Sequence, residues 1–353
     1  MTLFSGIAMM QRVINGWKVR QGGWVPMKNG QLMEKQETNW FRGAAAIMVV
    51  LSHYAEWWSW FVPLEGNAEV FRQALTKLGV YGVDIFFLFS GYAMVKSLGR
   101  ERMHGAFIWK RIKNVYFPYF VVVGAIELLE GGFVSVQDFL HFAIGYDYWY
   151  MFVLFIFYIG FIVVYTVMGG KTPRVVVFSI FTYIFSRILY QRGMQDFWYV
   201  SNIAFALGVA AGEYEDWIKK AVDRIWVPLA LALAVGMGFA AKGGLERGAN
   251  TGDSEEYQLW FQIGATVVWI LLVLVLTSKC RIKEKVFAFL GRHSLYIYLT
   301  HTYIFMWCAN YLEWDIAWRF AASALATIAV SFLCSVFVRG VEMLIPGKKF
   351  RGN

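Results

Sequence analysis

The chain has 353 residues, of which 58% are hydrophobic, 19% aromatic and 16% charged. That balance excludes an ordinary soluble domain, and 6 prolines leave little material for a disordered linker. The net charge of +9 invites a nucleic-acid surface, but the charges are sorted along the chain in a way that argues against one.

Residues 1–38 read as a mixed, partly amphipathic segment, cytoplasmic or lying on the membrane surface, with no secretory leader expected at its start. About ten apolar stretches then follow, each long enough to cross a bilayer. They are expected at 40–61, 79–97, 115–133, 149–169, 174–191, 197–213, 226–241, 259–277, 293–311 and 319–345. Residues 346–353 form a short tail. With the N-terminus in the cytoplasm, 26 of the 33 Lys and Arg residues fall on the inner side and 7 on the outer. This asymmetry predicts an all-α polytopic membrane protein with both termini cytoplasmic. The expected outer boundary is rich in aromatics, among them Trp57, Trp58, Trp60, Tyr148, Trp149 and Tyr150. They form either an interfacial belt or a surface on which sugars stack.

Four clusters carry the residues able to do chemistry. Arg42 and His53 lie eleven residues apart on the first span, nearly a whole number of turns. Both project from one face, roughly 16 Å apart along the axis. Ionisable groups are costly in hydrocarbon, so this pair predicts a site that grips a charged molecule and reacts with its far end. Glu56, one turn after His53, is placed to hold the imidazole or to sit as a solvated boundary charge. The second cluster runs from Gly82 through Asp84, Ser90 and Gly91 to Tyr92. Its Ser-Gly pair fits close helix packing, and Asp84 is expected near the outer end as a helix cap. The third is Lys110, Arg111, Lys113 and Asn114 ahead of Pro118. These cations mark topology, and they equally suit phosphate oxygens. The fourth runs from Gly291 through Ser294 to His301, with Ser294 and His301 on one face and His301 at a depth like that of His53. Cys280, Cys308 and Cys334 match no metal spacing, and no spacing suggests zinc.

In this order the clusters resemble the acyltransferase-three family of integral-membrane acyltransferases, over residues 39–345. The matching pieces are Arg42 with His53, and Val83-Asp84-Ile85-Phe86-Phe87 to Ser90-Gly91-Tyr92. Lys110-Arg111 before Pro118, Trp149-Tyr150, and Gly291 to Ser294 with Tyr298-Leu299 and His301 complete the match. One departure is Asn114, where the family often has a second Arg. The resemblance implies acyl transfer from acyl-CoA, expected to be acetyl-CoA, to a hydroxyl of a sugar or cell-surface polysaccharide. It implies no tightly bound cofactor, no metal and no nucleic-acid partner, and a multi-pass place in a bacterial inner membrane. On it, His53 and Glu56 are the expected catalytic pair, and Arg42, Lys110, Arg111 and Lys113 the donor-binding cations. Ser90, Tyr92 and His301 are expected to position the acceptor or stabilise the oxyanion. The rival readings are a transporter of lipid-linked sugars or small organic acids, and a non-catalytic subunit of a polysaccharide assembly complex. No pair of matching broken helices or inverted repeat supports transport.

Overall fold

The computed structural model describes residues 32–98, 105–248, 255–280, 282 and 284–344. Among these residues it is all helix and loop, with no strand. In chain order the helices are α1 (Lys35–Phe61), α2 (Asn67–Leu98), α3 (Gly105–Arg111) and α4 (Phe117–Leu129). Then come α5 (Val136–Ile144), α6 (Trp149–Val167), α7 (Lys171–Gln191), α8 (Asn202–Glu213) and α9 (Glu215–Gly248). Last are α10 (Glu255–Lys279), α11 (Val286–Arg292), α12 (Ser294–Tyr311) and α13 (Ile316–Leu344).

All ten expected spans fall on helices, and seven helices among the described residues are long and apolar enough to cross a bilayer. The other three spans have physical reasons for failing that test. α1 carries Arg42, His53 and Glu56 in its length. α8, at 12 residues, reaches roughly 18 Å, short of a full crossing. α12 is broken up by Ser294, Thr300 and His301. Large apolar side chains face outward, as on a protein solvated by lipid. Leu231 and Phe239 of α9 are 63% and 72% exposed.

Local chemistry explains the irregular places. α3 and α4 are joined by a π-helical turn, Ile112–Tyr116. Pro118 follows it, lacks an N–H and crowds the preceding turn, and the chain widens there. In α9 the helix is interrupted at Ile225 (φ −134°, ψ 21°). Pro228 lies just beyond and denies a donor to the carbonyl of Arg224. The expected seventh span begins at this break.

α2 starts at Asn67, twelve residues before the expected 79. Its first turns are too polar to read as membrane, yet they are helix-permissive and carry a Glu69–Arg72 pair at 2.6 Å. Asp84 is therefore not a cap. It sits mid-helix, fully buried, facing Ser201 and Thr266, and neither of its carboxylate oxygens has a hydrogen-bond partner.

α2 is the central element. One side lies along α1 and the other along α8. The second contact depends on two glycines facing each other. A Cβ at Gly91 would run into the Phe205 carbonyl, and one at Gly208 into the Leu88 carbonyl. The core beside it is aromatic. Phe87, Phe157, Phe178 and Phe205 are fully buried, with Phe157 and Phe205 rings 5.1 Å apart. α11 packs against the first turns of α1, and α12 packs against α13 and α1.

Candidate active site

Five segments enclose a cavity of about 350 Å³. α1 contributes Arg42 and Val49, and α2 contributes Val83, Phe86, Ser90 and Ala93. The end of α3 and the π turn bring Arg111 and Asn114, α6 brings Tyr150 and Tyr158, and α12 brings Ser294 and Tyr298. Two guanidinium-bearing residues thus line one cavity, and no acidic side chain lines it. Arg42 rests over the Phe89 ring at 5.7 Å. Arg111 donates to the Ala93 carbonyl at 3.2 Å and to Ser97, while its Nε is buried with no partner. Partly buried guanidiniums without a carboxylate form a receptor for an anion with several oxygens.

A run of ring contacts joins the cavity wall to a pair of imidazoles that lie outside the cavity. The Tyr150 and Tyr298 rings are 5.4 Å apart, Tyr298 and His301 are 6.2 Å apart, and His301 and His53 are 5.1 Å apart. His53 lies one turn beyond Val49 on α1, with its ring stacked on Trp57 at 5.6 Å. Its Nδ1 is 3.7 Å from the Glu56 carboxylate. That separation is too long for a hydrogen bond and close enough to favour a proton on Nδ1. His53 is 34% exposed at its side chain and Glu56 52%. His301 is buried, and its Nδ1 lies 3.1 Å from the Ile297 carbonyl and 2.9 Å from that of Tyr298.

The register of α1 against α2 sets the depth of each residue. Ser52 donates to the Thr76 carbonyl at 2.6 Å and lies against Gly79, so His53 is level with residues 76–79 of α2. Ser90 is eleven residues further along, roughly 16 Å away. It stands with the two arginines, not with the histidines, so the expectation of Ser90 as an oxyanion donor beside His53 does not fit this register. Tyr92 is further still. Its hydroxyl donates to Glu215 at 2.7 Å, in a network with Lys96 and the Leu32 amide that ties α2 to α9. Tyr92 does not line the cavity, and neither do Lys110 and Lys113. Lys110 is exposed, and Lys113 pairs with Glu342 at 3.3 Å.

The structure adds residues that the sequence did not single out as cavity walls. Tyr150, Tyr158 and Tyr298 are three of these, and Asn114 occupies the wall beside Arg111. Membrane tyrosines are read as belt or packing residues, and only the meeting of α6 with α12 turns these inward. Asn114 was visible as a departure in a motif, without a location. Among the other histidines, His293 holds the Phe289 carbonyl through Nδ1 at 2.9 Å, and His141 lies 3.6 Å from Asp147 outside this cavity. His104 lies outside the described residues. No cluster of three or more His, Cys, Asp or Glu residues able to hold a metal occurs among the described residues. The three cysteines are unpaired.

The arrangement is therefore a cavity with two arginines, a wall of tyrosines, and a histidine pair with one carboxylate in ring contact with that wall. It suits gripping a phosphorylated carrier at one end and reacting with a group carried at the other. Comparison with curated proteins and with solved structures found no match. Comparison with family models matched an acyltransferase domain over residues 36–336, which includes every residue of the cavity and both histidines. With most of the chain inside that match, and with the helices around it built to cross a bilayer, the chain belongs to the acyltransferase-three family and is a multi-pass membrane acyltransferase.

Proposed function

We propose that the protein takes an acyl group, in the first instance acetyl, from cytoplasmic acyl-CoA and transfers it to a hydroxyl of a sugar in a cell-surface polysaccharide. Its setting on this reading is a bacterial inner membrane. The observation that carries the proposal is the pair Arg42 and Arg111 lining one cavity without an acidic partner, with His53 further along the same helix face as Arg42. Acyl-CoA has the matching shape, with phosphates at one end, a slender arm and a thioester at the other. A cavity of about 350 Å³ takes the phosphopantetheine portion and leaves the nucleotide toward the cytoplasm. The rise from Arg42 to His53, roughly 16 Å, is within the reach of that arm.

At the far end His53 meets the thioester carbon, as base for the incoming hydroxyl or as carrier of the acyl group. Glu56 faces Nδ1 at 3.7 Å, and closing to hydrogen-bond range on donor binding fixes the proton there and presents Nε2 as the reactive lone pair. Ser90, Tyr150 and Tyr158 offer hydroxyls to the donor near the arginines. Lys110 and Lys113 flank Arg111 outside the cavity, where Lys113 is held by Glu342. No metal or tightly bound cofactor enters this scheme. The acyl group crosses while the coenzyme stays on its own side.

The test is mass spectrometry of surface glycans from source cells with the gene intact, deleted, and restored as His53→Ala. The expected result is the loss of one acyl mass on deletion and no recovery with the variant. Glycans that keep every acyl mass after deletion would overturn the proposed acceptor.

A further inference from the structure

The two histidines of the site are not alike. His53 is partly exposed and faces a carboxylate, whereas His301 is 1% exposed and, among the described residues, no carboxylate pairs with it. What fixes His301 is its own helix. Both partners of Nδ1 are backbone carbonyls, at 3.1 Å and 2.9 Å. A carbonyl can only accept a hydrogen bond, so Nδ1 carries the hydrogen. A neutral imidazole has one N–H, which leaves Nε2 as a bare lone pair. That Nε2 is buried and has no hydrogen-bond partner. An acceptor left unsatisfied in the interior is costly, and a ligand that fills it is favoured. The ring that bears it lies 5.1 Å from the ring of His53. In this tautomer His301 cannot donate to an oxyanion. It can only receive a proton.

We propose that His301 Nε2 is the atom that takes the proton from the acceptor hydroxyl, leaving His53 as the acyl carrier. The proposal rests on the acyl-transfer reading of the same site and assigns the second of its two steps. In the first, His53 Nε2 attacks the thioester carbon. The carbon–nitrogen bond forms, the carbon–sulfur bond breaks, and its electron pair leaves on the CoA sulfur. In the second, the hydroxyl oxygen attacks the acyl carbon while its proton passes to His301 Nε2. The carbon–nitrogen bond then breaks and returns its electron pair to His53. The proton on His301 reaches the thiolate through water, so none is gained or lost overall. A split of this kind explains why two imidazoles stand in ring contact with opposite surroundings. The carrier needs a carboxylate to balance the charge of its acylated form, and the base needs a fixed lone pair.

The experiment uses the purified full chain with acetyl-CoA as donor and two acceptors. One is surface glycan stripped of its acyl groups by mild base. The other is hydroxylamine, a nucleophile that needs no general base. His301→Gln is expected to lower acetyl transfer to the glycan by about 10²–10⁴-fold and to leave transfer to hydroxylamine within about threefold of wild type. His53→Ala is expected to lose both. Equal losses on the two acceptors in His301→Gln, or no loss on either, would overturn the proposal. Wild-type protein that releases no thiol from acetyl-CoA with either acceptor would instead sink the acyl-transfer reading beneath it. A second measurement is independent of the variant's folding. Nitrogen-15 NMR of histidine-labelled wild type is expected to show His301 protonated at Nδ1 and bare at Nε2. The reverse tautomer would overturn the proposal alone.

Discussion

Arg42 illustrates how a single side chain can be read twice, once from the chain and once from its surroundings. In sequence it is a basic residue near one end of a span, set apart from a topology signal by its spacing to His53. In space it lines a cavity with Arg111, Ser90, Tyr150 and Tyr158, resting over the Phe89 ring. A charged hydrogen bond is worth about 1.5–3 kcal/mol. Arg42→Ala is therefore expected to raise the KM for acyl-CoA by about ten- to hundredfold, with kcat changed less, in a thiol-release assay across donor concentrations. An unchanged donor dependence would remove Arg42 from the donor site. Asn114 gives the converse test. It sits in the wall next to Arg111, so Asn114→Arg adds a third cation to the same cavity. That variant is expected to lower the KM for acyl-CoA by up to about tenfold, measured in the same assay. A KM that stays the same or rises would mean that the donor's phosphates bind elsewhere.

Among the elements, α1 and α2 do the positioning, and they were legible to different degrees. Arg42 and His53 share one helix, so their alignment follows from helical geometry alone and could be read without knowing any neighbour. Ser90 shows the limit. It sits on α2, and its distance from His53 depends on how α2 slides against α1, a register set by Ser52 on Thr76 and by the glycine contacts. No spacing within one helix encodes that register, and the place of Ser90 beside the arginines could not be read for that reason. The early start of α2 was hidden for another reason. Its first three turns are polar helix above the apolar run, and hydropathy marks apolar length, not helix length. The Ser90-Gly91 pair was read as a packing signal, and Gly91 does pack against the backbone of α8. Gly91→Val or Gly208→Val should push these helices apart. Overpacking of this kind costs about 1–3 kcal/mol. The expected outcome is a lower thermal midpoint in detergent and a lower yield of folded protein. A midpoint equal to wild type would show that the two helices do not depend on this contact.

At the scale of the whole molecule, composition and the placement of Lys and Arg were enough to reach a polytopic helical protein with about ten spans. The tyrosine wall of the cavity was not legible, because Tyr150 and Tyr158 of α6 meet Tyr298 of α12 only on folding. The same convergence brings His301 to His53. Their matching depth could be read from the sequence, and their ring contact could not. The site therefore combines one part written along a helix, the Arg42–His53 axis, with one part made by packing, the walls and the second imidazole. On the proposed function, the donor engages the arginines and the acceptor the histidines, and the reaction is vectorial.

That account is tested most directly by acetyl transfer in proteoliposomes, with acetyl-CoA labelled in its acetyl group and base-stripped surface glycan as acceptor. With protein whose arginine-lined end faces outward, acetyl-CoA outside and glycan inside, label should appear on the glycan for wild type and be lost for His53→Ala. Label transferred equally well by His53→Ala, or transferred only when donor and acceptor share one side, would contradict it.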